Sequence, residues 1–156
     1  MAISDGIGTT IAIGPSTASD DASTITALTP YVDIAKVETI PEFGPSAATI
    51  TFTGLDGKVI KRKGARDAGD IVVTFANVPG DAGQEAMIAA EASKLKYAFK
   101  ITAADEPDED GTPSTFYLIG LVNTNKVNVG QSNAVNKRSF SILLDDVHEV
   151  PAEPGP

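Results

Sequence analysis

The chain has 156 residues, enough for one domain with a buried core, and its 42% apolar content is that of a folded protein. It has no cysteine, which excludes disulfides, thiolate metal sites and cysteine catalysis. A net charge of −9 argues against binding nucleic acid by neutralising phosphates, a mode that needs clustered lysine and arginine.

The N-terminus has no basic segment followed by an apolar one, so no secretory signal is expected. No run approaches the roughly 18 apolar residues that span a bilayer. The expectation is a soluble protein made in a cytoplasm, with no membrane partner.

In chain order, Gly6-Ile7-Gly8 lacks a third glycine three residues on and opens no helix, so it is no nucleotide loop. Residues 14–24 are polar and turn-rich and predict irregular structure; residues 1–24 together read as an N-terminal arm or loop. Residues 31–40 predict a strand with blurred alternation. Ala48, Ile50 and Phe52 alternate with Thr49, Thr51 and Thr53, which predicts a half-buried strand with a hydroxyl outer face. Asp56-Gly57 supplies the positive φ values of a tight hairpin turn. Ile71, Val73 and Phe75 mark a further strand.

A helix is expected over about residues 81–95, lying as a lid on a β-core. Asp81 can cap it, Gln84 stands in the capping-box position, and Met87, Ile88, Ala92 and Leu95 share one face. Lys94 and Lys96 fall near its C-terminal end, where the dipole favours cations. Tyr97, Phe99 and Ile101 then alternate as a strand. Residues 105–114 are acidic, interrupted by proline and expected to be irregular. Over 115–122 both faces are apolar, Phe116 and Leu118 on one and Tyr117, Ile119 and Leu121 on the other. Such a strand is buried on two sides, under a helix or under another subunit. Phe140, Ile142 and Leu144 mark the last strand. Residues 151–156 carry three prolines and are expected to be disordered. The division is one domain over 1–150, with no solenoid repeat, and a tail.

No chemistry emerges. Read as a calcium loop from Glu106, the acidic stretch puts Asp108, Asp110 and Gly111 at positions 3, 5 and 6, but Tyr117 stands where a bidentate glutamate is required. His148 is the only histidine and follows the last strand, close to the proline-rich tail, where a triad or metal cluster is hard to assemble. No pair of carboxylates is nominated by spacing. The expectation is no catalytic residue, no metal, no cofactor and no enzyme.

The charge is uneven. Lys58, Lys61, Arg62, Lys63 and Arg66 lie within nine positions, and Asp105, Glu106, Asp108, Glu109 and Asp110 within six. Patches of opposite sign on one small chain suggest complementary surfaces, within a molecule or between copies.

The order of these features resembles the major tail tube proteins of long-tailed, siphovirus-type bacteriophages over most of the chain, from about Gly6 to Asp146. The resemblance rests on GIGTTIAIG, the 31–43 segment, the strand and hairpin ITFTGLDGKVIKRKG, Asp67-Ala68-Gly69-Asp70 before IVVTF, the helix MIAAEASK, the strand YAFKI, and FYLIGLV followed by RSFSILLDD. The acidic insertion at 105–110 and the tail beyond His148 lie outside it.

The resemblance implies a mainly β fold, a β-sandwich or barrel-forming sheets with one flanking helix and an extended hairpin over 40–68. It implies six copies in a ring, inner strands joined in one barrel, and rings stacked into a tube. Lys58, Lys61, Arg62, Lys63 and Arg66 would then dock on a neighbouring copy, with Asp105, Glu106, Asp108, Glu109 and Asp110 as an acidic interface. A negatively lined channel for DNA passage is implied, and Asp33, Glu38 and Asp70 are offered for its lining. The implied partners are the chain itself, a tail tip or initiator, a tape measure protein and a tail terminator, with DNA passing through unbound. The implied place is the virion tail, after the host cytoplasm. Two alternatives stand beside this: the tube of a contractile tail or secretion system, and a soluble β-sandwich binding module, against which the absence of tryptophan counts.

Overall fold

The computed structural model describes residues 3–18 and 21–156. Its strands are β1 (Thr10–Ser16), β2 (Val32–Asp33), β3 (Val37–Thr39), β4 (Ser46–Thr53), β5 (Val59–Asp67), β6 (Asp70–Ala76), β7 (Tyr97–Thr102), β8 (Thr115–Asn128) and β9 (Lys137–Val150). Two helices join them, α1 (Ala22–Ala27) and α2 (Ala82–Ala92).

Seven strands form one antiparallel sheet in the order β2-β1-β7-β8-β9-β6-β3, while β4 and β5 pair only with each other. The large sheet cannot be flat. Its two edge strands, β2 and β3, are separated by only three residues, Ile34-Ala35-Lys36, which span at most about 14 Å even when extended. Laid flat, strands spaced about 4.8 Å apart would put those edges roughly 29 Å from each other. The sheet therefore curls towards a barrel, and the single segment read over 31–40 is in fact two short strands on opposite edges. Lys36, at φ 58°, makes the corner, and the N–H of Ile34 donates to Ile11 while the carbonyl of Lys36 accepts from Ala76.

One core fills the concave side. Ile11 and Ile13 from one end of the sheet meet Ile71, Val73 and Phe75 from the other, with Phe99, Leu118, Phe140, Ile142 and Met87 between them. The alternation expected for β6, β7 and β9 is the one that packs. Phe75 and Phe140 stack at 5.4 Å on neighbouring strands. β8 and β9 are long enough to run through both halves of the sheet, and their ladder slips between Ile119 and Gly120. Gly120 lies against the carbonyl of Leu143, into which a Cβ would run. The bulge bends the pair where the sheet curls.

Helix α2 is shorter than expected and turns a different face inward. Gly83, Gln84, Met87 and Ala90 are buried, whereas Ile88, Ala92 and Leu95 are exposed. The helix ends at Ala92, so Lys94 and Lys96 lie beyond it, and Lys96 pairs with Asp145. Asp81 caps as expected, accepting from the N–H of Gln84 at 3.0 Å. Gln84 does not complete a capping box. Its Oε1 accepts from Val78 N, and its Nε2 donates to the carbonyls of Ala35 and Ala76. Asp81 also accepts from the N–H of Ala35. The cap of α2 thus pins the corner at which the sheet closes.

The 14–24 stretch, expected to be irregular, contains the end of β1 and the start of α1. Buried Ile25 seats this short helix on Ala98 and Ile119, against the convex side of the sheet. The two-sided burial of β8 is explained there: Leu118 and Val122 face the main core, and Ile119 lies under α1.

Candidate assembly surfaces

The β4–β5 hairpin departs furthest from the half-buried strand expected. Every residue of β4 is exposed, including Ile50 (57%) and Phe52 (63%). The alternation is present, but neither face meets the body of the subunit. Cross-strand pairs sort the side chains. Phe52 pairs with Ile60 and Ile50 with Arg62, which makes one face apolar with a guanidinium at its border. Thr49, Thr51 and Thr53 pair with Lys63, Lys61 and Val59, which makes the other face hydroxyl and cationic. Lys58 sits at the turn, where Gly57 takes φ 81°, and Arg66 near the base opposite Ala47. The basic cluster is therefore distributed over both faces. The sequence reading missed the apolar one by assigning it to the core.

From Ser46 to Asp67 the hairpin has five cations against two acids, Asp56 and Asp67, leaving seven cations and nineteen acids for the rest of the chain. No ion pair among the described residues joins the hairpin to the acidic loop. That loop is partly turned in on itself. Asp105 accepts from Ser114 Oγ and from Ser114 N, both at 2.7 Å, and these bonds hold its carboxyl below the ordinary aspartate range. Asp108 accepts from the N–H groups of Asp110 and Gly155. Glu106, Glu109 and Asp110 are exposed. The 151–156 segment, read from its prolines as disordered, lies along this loop, with Thr112 and Glu153 exchanging backbone hydrogen bonds.

The three acids offered for a channel lining stand on the border strands of the curled sheet and on β6. Asp33 is on β2, at one end of the sheet order. Glu38 on β3 and Asp70 on β6 lie at the other end, and Glu38 is bonded to Lys137 at 2.8 Å. His148 is half-buried on β9 opposite Tyr117, with Nε2 3.6 Å from Asp146. Tyr117 in turn meets the ring of Tyr31 edge-on, and the Tyr31 hydroxyl donates to the carbonyl of Ile25. Burial first, and then the charge of Tyr117, pushes the Tyr31 hydroxyl up to about 12.

No protein-family model and no curated protein matches the chain. Solved structures do. The SPP1 tail tube aligns over 97% of this chain and 81% of its own, with TM-score 0.70 at 14% identity. The sheath/tube terminator of an extracellular contractile injection system, PVC, aligns over 96% and 98%, with TM-score 0.69 at 13% identity. The tube-terminating cap of the anti-feeding prophage aligns over 97% and 93%, with TM-score 0.67 at 13% identity. All three are structural proteins of tubes, and none is described as an enzyme. The chain therefore shares its overall fold with a phage tail tube protein and with tube terminators of the anti-feeding prophage and of a contractile injection system.

Proposed function

We infer that this protein is a structural subunit that assembles into hexameric rings stacked as a tail tube, a channel through which DNA passes without being held. The observation that carries this is the hairpin. A two-stranded sheet is marginal alone in water, and this one exposes Ile50, Phe52, Ile60 and Leu55. An exposed apolar face of this kind calls for a partner. A basic hairpin on an otherwise acidic chain finds the complementary potential on a second copy of itself. A hairpin that reaches from one ring to the next makes a heterologous contact, which propagates rather than closes. The tube-protein fold supports the same reading.

Lys58, Lys61, Arg62, Lys63 and Arg66 supply the electrostatic part of that contact, and the exposed acids Glu106, Glu109 and Asp110 are offered as its counterpart. The subunit folds in the host cytoplasm and ends in the virion tail, meeting a tail-tip initiator, a tape measure protein and a tail terminator there. The likeness to contractile injection systems favours a second reading, a tube that works inside a sheath. Co-sedimentation with a purified sheath protein separates the two.

The test is polymerisation. The purified chain should pellet on ultracentrifugation above a threshold concentration or on addition of tail tips. Lys61→Glu with Arg62→Glu should stay in the supernatant with an unchanged circular dichroism spectrum. A wild-type chain that remains monomeric under both conditions overturns the tube reading. A double variant that pellets like wild type removes the charged hairpin from it.

A further inference from the structure

We propose that the outer face of α2 is the surface on which the apolar face of a second copy's hairpin docks. This rests on the tube reading and adds which part of its neighbour the hairpin meets. Helix α2 is apolar on two sides. Met87 and Ala90 are buried in the subunit, while Ala82, Ile88, Ala89 and Ala92 are exposed. A helix that is apolar all round is one that is covered all round, and the subunit covers one side only. Residues 85, 88, 89 and 92 fall at helical spacing on the outer stripe. Exposed Glu85 therefore stands within the patch, and half-buried Glu91 lies beside it. Asp33, whose backbone lies against Gly83, adds a third acid. Lys36 and Lys94 are exposed nearby but belong to the flanking segments, not to the helix.

The hairpin offers the complement. Ile50, Phe52 and Ile60 share one of its faces with Arg62. Two turns of helix are about 11 Å long, and the four residues Ile50–Thr53 of a strand cover about 10 Å, so the two patches match in length. The two do not cover each other within one subunit, because Ile50, Phe52 and Ile88 are all exposed in it. Their contact joins two different surfaces of the chain, so it is heterologous and propagates.

The other described surfaces fit the hairpin less well. The apex between β8 and β9 exposes Val127, Val129 and Val135, but Lys126, Lys137 and Arg138 flank it and would repel a basic hairpin. The acidic loop exposes no large apolar side chain. The remaining exposed apolar residues outside the hairpin are Ile3 and Ile7 on the arm before β1, Leu95 past the end of α2, and the single residues Val72 and Val150. The outer face of α2 unites apolar surface with acids. With the apolar face of the hairpin seated there, Lys61 and Lys63 on its other face stay free for the acidic loop of a further copy.

Two sets of variants test this by the polymer threshold in sedimentation. Ile88→Lys places an unpaired cation where the apolar face and Arg62 would sit, and should raise the threshold at least about tenfold. The urea midpoint of the subunit should stay that of a surface change. Arg62→Glu should also raise the threshold, and adding Glu85→Lys with Glu91→Lys should bring it back towards wild type. The same two helix changes should not rescue Lys61→Glu, because Lys61 pairs with Thr51 on the other face. An Ile88→Lys chain that polymerises at the wild-type concentration overturns the proposal. So does a charge exchange that rescues neither hairpin variant, or both alike. If Ile88→Lys does not fold, the charge exchange decides alone. Failure of the unsubstituted chain to polymerise defeats the tube reading instead, and its own sedimentation reports that separately.

Discussion

Replacing Phe52 by serine separates assembly from folding, because the side chain contributes to one and not to the other. Phe52 is 63% exposed in the subunit and packs on no part of the body. Fully burying a phenylalanine is worth about 1.5–3 kcal/mol, so covering the exposed part on docking is worth about 1–2 kcal/mol per contact. Each 1.4 kcal/mol is a factor of ten in an equilibrium constant. The concentration above which polymer appears should therefore rise about tenfold, read as the plateau of unpolymerised protein after ultracentrifugation. The urea midpoint should stay within the ~0.5 kcal/mol expected of a surface change. A Phe52→Ser variant with an unchanged polymer threshold would refute the argument that the apolar face of the hairpin is buried between copies. A large loss of subunit stability would refute the claim that the hairpin stands apart from the core.

Two further outcomes follow from the interior and from the acidic loop. Gln84→Ala removes three hydrogen bonds from a side chain 2% exposed and leaves Val78 N and the carbonyls of Ala35 and Ala76 without it. A cost of about 3 kcal/mol is expected in the urea midpoint, and a cost below about 1 kcal/mol would show that the corner is not pinned there. Asp105 has a lowered pKa, caused first by Ser114 Oγ and then by Ser114 N. Its contribution is therefore complete above the ordinary aspartate value of 3.8 and lost as pH falls through the lowered one. Amide exchange at Ser114 should accelerate only in that acid window, and Asp105→Asn should remove the pH dependence while slowing nothing else.

The sequence revealed strands where one face meets the core and solvent meets the other. Ile71, Val73 and Phe75, and Phe140, Ile142 and Leu144, alternate because the curled sheet has one inside, and the period transmits that directly. The hairpin shows where this reasoning stops. Ala48, Ile50 and Phe52 alternate just as cleanly, yet they are exposed in the subunit, and periodicity records that a face is apolar without recording whether the subunit's own core covers it. Helix α2 misled for a different reason. A hydrophobic count passes over Gln84 and Gly83, although Gln84 is buried for its hydrogen bonds and Gly83 for the close approach of the Asp33 backbone. The split of residues 31–40 between two sheet edges was illegible because it depends on closure of the whole sheet, which no local pattern encodes. Of the assembly surfaces, the charges were visible and their division between faces was not, since that needs the register of β4 against β5.

Electron microscopy of the assembled protein tests the central claim most directly. The chain, concentrated alone or seeded with tail tips, should give hollow tubes whose end-on views have six-fold symmetry. Single rings that never stack, as a tube terminator would form, or monomers under every condition, would contradict it.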